Sequence, residues 1–218
     1  MKSEIIITQN SYYFVFRHFL QILQRADVII LLVSENKRGI RRKFFEIIQH
    51  FGLKNFLFIA AMEFYFFLTL KSKVNQLNCF KVPDGELNNY LNSLLKNETV
   101  SLIISIGCPC KIDTTVGQNI NLKLYNLHGG ILPFQKGRFS PIKSIRNGDK
   151  YLGATLHNIS EEFDGGEIVS QTFFKTKNSN YLEAYNSVLR KSRKLLDDYF
   201  SGTTYKLPRE ILFSFKKD

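Results

Sequence analysis

The sequence predicts an α/β protein in which a central, mostly parallel and twisted sheet is flanked by helices. Runs of β-branched and other apolar residues, such as Ile5–Ile7 and Val28–Val33, are typical of strands that are covered on both faces. Amphipathic segments of helical length separate these runs, and such alternation is typical of a parallel sheet. Because the sequence shows no internal repeat and no linker-like stretch, we expect one domain over residues 1–218 with a short, basic, irregular tail from about 201 to 218.

Each strand is expected where an apolar run ends in turn residues. In chain order the strands are predicted at residues 4–8, 26–34, 78–82, 99–106, 122–127, 151–159 and 167–174. The first helix is expected to begin at a cap formed by Asn10 or Ser11 and to reach Gln24. The second is expected to be basic and to end at Gly52. The helices after the first are predicted at residues 37–51, 86–97, 140–147 and 180–199.

The stretch from Phe56 to Leu70 is almost wholly apolar and is interrupted by Glu63. It is too short to cross a bilayer, since a spanning helix needs about 20 apolar residues. We expect it to be a buried helix. A dimer face around Phe64–Phe67, which would make the protein a homodimer, and a contact with a membrane surface are the alternatives.

The composition is globular, with 44% hydrophobic and 22% charged residues, and the formal net charge is +11. This excess of lysine and arginine predicts an anionic partner, such as a nucleotide, a phosphorylated metabolite, a nucleic acid or an acidic membrane surface. The charge alone does not choose among these partners.

Three cysteines, Cys79, Cys108 and Cys110, are too few for a disulfide framework. They favour a reducing, cytoplasmic location, and the N-terminal residues lack the apolar core of a signal peptide. Cys108-x-Cys110 together with His128 does not have the usual spacing of a zinc site and lacks an evident fourth ligand, so we expect no metal.

The residues with the clearest chemistry are Asn126, His128 and Asp164, each at the end of an apolar run beside a glycine-rich turn. Side chains two residues apart in a strand point to the same face, so Asn126 and His128 are expected to share one space. There the amide could stabilise an oxyanion, a contribution of about 3–4 kcal/mol in other enzymes. The imidazole could move a proton, worth about 10²–10⁴-fold in rate. The carboxylate could orient the imidazole and stabilise its charged form.

This set of groups suits the attack of an amine on a carbonyl without a covalent enzyme intermediate. Each part also has a plain structural interpretation, since Asn-x-His at a strand end is usually coincidental and Asp164 before two glycines is typical of a hairpin turn. The turn after the first strand, Thr8–Ser11, has neither a dinucleotide fingerprint nor a phosphate-binding loop of the NTPase type. That absence argues against a dehydrogenase or an NTPase.

Several short motifs occur together and in one order, and as a set they resemble the folate-dependent formyltransferase family. They are Asn126-x-His128, Leu132-Pro133, Lys136-Gly137, Ser140-Pro141, Asn147-Gly148-Asp149, Gly153-x-Thr155-x-His157 and Asp164-x-Gly166. The resemblance implies a Rossmann-like formyltransferase fold and 10-formyltetrahydrofolate as the formyl donor. It also implies that Asn126, His128 and Asp164 form the catalytic trio.

The resemblance further implies that two loops hold the donor, largely through backbone groups. The first loop contributes Cys108, Cys110 and Ile112, and the second contributes Ser160, Glu161, Glu162 and Phe163. The chain departs from the family pattern at the Cys-Pro-Cys-Lys sequence of the first loop. It departs again at Gly129-Gly130, where a bulkier pair is usual.

Members of this family differ in the amine that they formylate. We expect a small-molecule acceptor, a nucleotide-linked amino sugar of surface polysaccharide synthesis, with Lys136 and Arg138 near its phosphates. A solvated basic loop is the alternative for these two residues. His157 is expected either to be a satisfied core residue or to line the acceptor pocket.

Three other functions stay open. Phosphoribosylglycinamide formyltransferase is disfavoured because the turn after the first strand lacks glycines that could hold a phosphate. Methionyl-tRNA formyltransferase is disfavoured because little chain follows the last long helix, and no module for RNA or DNA is recognisable. The third alternative is a catalytically inactive member that binds folate or a protein.

Overall fold

The computed structural model describes residues 3–25, 27–35, 37–97, 99–116, 122–176 and 180–215. It confirms the α/β prediction: seven strands form a mostly parallel sheet, flanked by helices, with the strand order β3-β2-β1-β4-β5-β6-β7. The strands are β1 (Ser3–Gln9), β2 (Val28–Ser34), β3 (Cys79–Pro83), β4 (Val100–Ile106), β5 (Lys123–His128), β6 (Tyr151–Asn158) and β7 (Ile168–Lys175). Their bounds differ from the predicted ones by a residue or two, and Ala26 lies outside the described residues.

The helices follow the predicted order, except that the helices predicted at residues 37–51 and 56–70 form the two parts of one element and that the last helix was not predicted. They are α1 (Arg17–Leu23), α2 (Lys37–Val74), α3 (Leu87–Asn97), α4 (Ser140–Arg146), α5 (Tyr181–Phe200) and α6 (Arg209–Phe213). A π-helical turn, Tyr12–Phe16, precedes α1, and a 3-10 turn, Asp84–Glu86, precedes α3. The chain divides into two compact units, Met1–Tyr125 and Asn126–Asp218, which are described in turn. That residues 1–218 form a single catalytic domain stays a prediction.

The first unit is built around β1, which pairs in parallel with β2 and with β4. Ile6 lies opposite Ile30 on one side and Ile104 on the other, and all three side chains are buried. Ile5 and Ile7, whose side chains point to the other face of the sheet, are also buried, so the β-branched run of β1 is covered on both faces, as its sequence pattern predicts.

The predicted cap at Ser11 is confirmed, and a second group completes it. The Ser11 hydroxyl accepts a hydrogen bond from the Phe14 N–H at 3.2 Å and donates to the Glu63 carboxylate at 3.0 Å. Glu63 also accepts from the N–H groups of Tyr12 and Tyr13. Because the first N–H groups of a helix have no partner within it, and because the N-terminus attracts negative charge, this carboxylate stabilises the start of the helical segment.

Helix α2 differs from the prediction in one important respect. Its first part ends at Gly52, as predicted, where φ is 80° and the backbone is not helical, and the helix expected over residues 56–70 forms its second part, which continues to Val74. The expectation that residues 56–70 are buried is wrong, since Leu57 is 59%, Phe64 63% and Leu68 61% exposed. The apolar residues of this segment occur on all sides of the helix, so packing one face on the unit leaves the others in solvent.

The second unit contains β6 and β7, which pair antiparallel, and α5, which covers them. Leu152 of β6 packs with Ala184 and Val188 of α5. The tail that we expected to be irregular contains α6, whose Ile211 packs against Ile131 in a second cluster. Residues 216–218 of this tail lie outside the described part of the chain.

Candidate active site

The second unit brings four polar side chains together around the end of β5. Asn126 and His128 lie two residues apart on this strand, His157 lies near the end of β6, and Asp164 follows in the loop before β7. The Asp164 Oδ1 atom is 3.4 Å from His128 Nδ1 and 3.8 Å from His157 Nε2. The Asn126 amide nitrogen is 3.1 Å from His157 Nε2. The three residues predicted to form the trio are thus placed together, and His157 joins them.

The ring of His128 is buried and has an oxygen atom near each nitrogen. Its Nε2 lies 2.6 Å from the backbone carbonyl of Gln135, and its Nδ1 faces Asp164. A carbonyl oxygen can only accept a hydrogen bond, so Nε2 carries the hydrogen in this contact. In the neutral ring Nδ1 then has a free electron pair directed towards the carboxylate. A proton that binds to Nδ1 would lie between the ring and Asp164.

The carboxylate of Asp164 is held by the loop that carries it and by a backbone donor. Asp164 has a left-handed backbone with φ of 55°, which aspartate tolerates better than most residues. Its Oδ2 accepts a hydrogen bond from the Gly137 N–H at 2.7 Å, which leaves Oδ1 for the two histidines. At the base of the loop, the Asn158 N–H donates to the Glu167 carbonyl at 2.8 Å. The loop is therefore closed where it leaves and rejoins the sheet.

His157 is 2% exposed, and both of its ring nitrogens have partners. Its Nδ1 donates to the Asn158 carbonyl at 2.8 Å, so its Nε2 is free to accept a hydrogen bond from Asn126. Burial lowers the pKa of His157, and His128 acts in the same direction; the Asn158 carbonyl and the Asp164 carboxylate oppose the shift. Of the two interpretations of His157, its contacts agree with that of a buried, fully hydrogen-bonded residue. Its partners include residues of the site itself.

Gln135 is a site residue that the sequence analysis missed. Its backbone carbonyl accepts from His128, while its side-chain oxygen accepts from the Ile131 N–H at 3.0 Å. Its side-chain nitrogen donates to the Asp149 carboxylate at 3.0 Å and to the Tyr151 carbonyl at 2.8 Å. A fully hydrogen-bonded glutamine of 3% exposure fixes the backbone that faces His128. The signal was a polar residue inside the motif region, between Leu132-Pro133 and Lys136-Gly137.

A second buried network holds the turn after β5. The Thr155 hydroxyl accepts from the Leu132 N–H at 3.1 Å and donates to the Gly130 carbonyl at 2.7 Å. The Gln171 amide donates to the Leu132 carbonyl at 2.9 Å and to Thr155 at 3.0 Å. Gly130 has no room for a side chain, because a Cβ atom there would lie 2.4 Å from the Gln135 carbonyl oxygen. The Gly-Gly departure at 129–130 therefore has a steric reason at its second position.

The loop predicted to hold the donor lies directly before Asp164. Phe163 is 70% exposed, and Glu161 is also exposed. The Ser160 hydroxyl donates to the Glu162 carbonyl at 2.8 Å. The Glu162 carboxylate lies 2.6 Å from the ammonium group of Lys136.

The two basic residues predicted to meet the acceptor lie on the segment between β5 and α4. Lys136 pairs with Glu162 while remaining partly exposed. Arg138 is exposed, and its guanidinium carbon lies 5.8 Å from the centre of the Phe139 ring. Gly137, between them, donates to Asp164.

The other predicted donor loop belongs to the first unit. The sulfur atoms of Cys108 and Cys110 are 3.7 Å apart, and Ile112 is buried. Either sulfur atom can donate in this contact, and Cys108 is the donor when Cys110 is ionised. The hydrogen bond therefore lowers the pKa of Cys110 and, with burial, raises the pKa of Cys108. Within the described ranges, no three histidine, cysteine, aspartate or glutamate side chains are grouped as a metal site.

Comparison with known proteins gives consistent matches. The family model described as formyl transferase matches residues 66–196. The chain is 34% identical over 88 residues to phosphoribosylglycinamide formyltransferase of Haemophilus influenzae, a stretch that covers 40% of each chain. It is 26% identical over 145 residues to methionyl-tRNA formyltransferase of a Hydrogenobaculum species, covering 64% of this chain and 48% of that protein. The matched stretches thus span less than half the length of these two curated relatives.

Among solved structures, the chain is similar to a sugar N-formyltransferase from a Shewanella species. The TM-score is 0.61 at 19% identity, and the match covers 95% of this chain and 74% of the other. At this identity the likeness shows the fold.

Proposed function

Because this chain belongs to the formyl transferase family, we propose that it transfers a formyl group from 10-formyltetrahydrofolate to a primary amine. Family membership confirms the resemblance that the sequence motifs indicated. The observation that carries the proposal is the convergence of Asn126, His128 and Asp164 around one space in the second unit. When bound, the donor supplies an activated formyl carbon, and no metal is needed.

The loop before Asp164 fits a flat, partly polar donor. Phe163 presents a large exposed aromatic surface directly before the catalytic carboxylate in the chain. Aromatic faces of this kind favour contact with another planar ring. Ser160, Glu161 and Glu162 would complete this side of the donor site.

Asn126 is the group that would stabilise negative charge on the formyl oxygen. His157 Nε2 accepts a hydrogen bond from one N–H of the Asn126 amide, and the second N–H points away from this ring. A donor whose orientation is already set loses little free energy when charge develops beside it. This preorganisation is what the histidine contact supplies.

His128 would take the proton that the attacking ammonium group must lose. The Nδ1 electron pair accepts it, and Asp164 lies 3.4 Å away to stabilise the resulting positive ring. The Gly137 N–H, 2.7 Å from the other carboxylate oxygen, keeps Asp164 in place during the transfer. His128 can then give this proton to the leaving nitrogen of the donor as the bond between that nitrogen and the formyl carbon breaks. The attacking nitrogen loses its second proton to solvent, so the formamide forms without a covalent bond to the protein.

A nucleotide-linked amino sugar is the acceptor class that we propose. Lys136 and Arg138 are exposed positive residues on either side of Gly137, and a diphosphate suits such a pair. Lys136 is paired with the exposed Glu162, so a bound phosphate would replace that carboxylate as its partner. The turn after β1 supports this choice over glycinamide ribonucleotide. There the Tyr12 and Tyr13 N–H groups already bind the Glu63 carboxylate, which occupies the place of an anion.

The test is a formyl-transfer assay with 10-formyltetrahydrofolate and a panel of nucleotide-linked amino sugars, glycinamide ribonucleotide and methionyl-tRNA. Formylation of a sugar nucleotide is the expected result. Transfer to glycinamide ribonucleotide or tRNA alone would contradict the acceptor class but keep the reaction. Substitution of His128→Ala should lower kcat by about 10²–10⁴-fold, with an unchanged circular dichroism spectrum. A protein that binds folate but forms no product with any acceptor would instead support the non-catalytic alternative.

A further inference from the structure

The second half of α2 carries a continuous exposed apolar face, which we call the α2 face. Its members follow one another at intervals of three or four residues, so they lie on one side of the helix. Its members are Leu53, Leu57, Ala61, Phe64 and Leu68. The four large ones, all except Ala61, are each about three-fifths exposed.

Basic side chains lie at both ends of this face, since Lys54 is exposed beside its first residue and Lys71 and Lys73 are exposed in the last turn of α2. Arg38 and Arg41 are exposed on the helical segment before Gly52 and add to the positive charge of α2. The helix therefore joins apolar exposed surface to positive charge in a chain whose formal net charge is already +11.

The two acidic residues of α2 do not offset this charge at the face. The carboxylate of Glu63 is directed to the other side of the helix, where it binds the Ser11 hydroxyl and the Tyr12 and Tyr13 N–H groups. Glu46 lies 3.8 Å from Arg42 in the first part of the helix.

The opposite side of the helix is fixed to the first unit. Ile59 and Val74 are buried there, and Glu63 makes its three hydrogen bonds on this side. By length and composition Arg38–Val74 could cross a membrane. Only 6% of its most apolar window is buried, so this helix differs from an apolar helix in the core of a protein. A helix that is held along one side by the protein can lie on a bilayer with its other side, without crossing it.

We propose that the α2 face docks on the surface of a bilayer that contains anionic phospholipids. The apolar side chains enter the boundary between headgroups and acyl chains, and Tyr65, beside the face and 54% exposed, suits the headgroup level. The lysine side chains at both ends of the face contact lipid phosphates.

The charge distribution favours a bilayer over a second copy of this chain. Both ends of the α2 face are positive, with Lys54 at one end and Lys71 and Lys73 at the other. Pairing this segment with itself therefore sets positive charge against positive charge in either the parallel or the antiparallel orientation. An anionic lipid surface attracts both ends at once. The homodimer contact expected around Phe64–Phe67 is therefore the less favoured occupant.

The test is co-sedimentation of the full chain with vesicles of phosphatidylcholine containing phosphatidylglycerol, compared with vesicles of phosphatidylcholine alone. Binding to the anionic vesicles that weakens as salt is raised is expected. The double substitution Leu57→Ser with Phe64→Ser should lower the partition coefficient at least about tenfold. Lys54→Gln with Lys73→Gln should lower it about fivefold for each charge removed.

A matched control is Phe80→Ser, which removes another exposed phenylalanine of the first unit, 42% exposed on β3. It should leave vesicle binding unchanged, and thermal unfolding should show that all variants are folded. Equal binding to neutral and anionic vesicles, or none to either, would overturn the proposal. The proposal would also be overturned if the wild-type chain bound no vesicles and formed a dimer in sedimentation equilibrium that the serine substitutions dissociated. If the serine pair does not fold, the salt dependence of the wild-type chain decides the question.

Discussion

The side-chain nitrogen of Asn126 lies 3.1 Å from Nε2 of His157, and this contact fixes the orientation of the amide group. His157 donates through Nδ1 to the Asn158 carbonyl, so its Nε2 can only accept. The amide must then present an N–H to the ring, and its second N–H remains for another acceptor. A buried histidine thereby sets the direction of a donor in the neighbouring strand.

His157 is expected to act as a positioning residue. His157→Phe removes the acceptor, so Asn126 can rotate and kcat should fall by about 10–100-fold, part of the 10²–10³-fold that loss of an oxyanion donor costs. His157→Gln offers an amide oxygen to Asn126 and should restore part of kcat. Steady-state kinetics on both variants give the measurement. A loss confined to KM, equal in both variants, would show a role in binding and contradict this prediction.

The stability of the chain should depend on pH through the same histidine. Burial lowers the pKa of His157 below its ordinary value of 6.5, so the unfolded chain binds a proton that the folded chain does not. Its contribution to the free energy of unfolding is complete above that value and is lost as pH falls towards the lower folded pKa. Urea unfolding at about pH 7.5 and about pH 5.5 should show a smaller loss for His157→Gln than for the wild-type chain. An equal loss in both would assign the pH dependence to other groups.

Asp164→Asn should separate the charge of this residue from its backbone role. Asparagine tolerates the left-handed φ of 55°, and its side-chain oxygen can still accept from Gly137. We expect kcat to fall at least about 10²-fold with little change in stability. Asp164→Ala should lose activity and also destabilise the fold by about 1–2 kcal/mol, because alanine tolerates this conformation poorly. Near wild-type kcat in the asparagine variant would exclude a role for the carboxylate charge.

Gly130→Ala should destabilise the turn beside His128. A Cβ atom there would lie 2.4 Å from the Gln135 oxygen and 2.7 Å from His128 Nε2, so backbone must move, at a cost of about 1–3 kcal/mol. Gly129→Ala is the matched control, since its Cβ atom would meet only Val188, at 3.4 Å. Chemical denaturation measures both. Similar stabilities for the two variants would contradict the packing argument.

Alkylation should distinguish the cysteines. The Cys108 thiol lowers the pKa of Cys110 by donating to its sulfur, whereas burial raises the pKa of Cys79 to about 11. Thiolates are the reactive form, so iodoacetamide at neutral pH should label Cys110 at least about tenfold faster than Cys79. Peptide mapping by mass spectrometry gives both rates. Cys108→Ala should slow labelling at Cys110, and Cys108→Ser, which keeps a donor, should slow it less; faster labelling at Cys79 would contradict the assignment.

The strands were predictable because their patterns depend on local sequence. The run Ile5–Ile7 needs cover on both faces wherever it lies, and the structure provides it. The burial of α2 was not predictable in the same way. An apolar sequence favours burial, but it does not determine whether the rest of the chain covers every side of the helix.

The site shows the same division. Asn126 and His128 share a strand, so their common direction follows from the two-residue period. The contacts of Asp164 with two histidines, and of Lys136 with Glu162, join residues far apart in the chain. No spacing rule gives such distances, and the role of Gln135 depends on where its backbone carbonyl points.

The loop between β6 and β7 is closed by its ends, and this has a consequence for how such a site can diversify. A Cβ atom at Gly166 would lie 1.8 Å from the Asn158 carbonyl oxygen, so only glycine fits at position 166, where the loop approaches the end of β6. The tip, with Glu161 and Phe163, is exposed and bears little of that constraint. Under the proposed function, mutations of Glu161 or Phe163 are therefore expected to alter what the loop binds while Asp164 keeps its position. Selection for a new ligand and selection for catalysis would then act on this one loop almost independently.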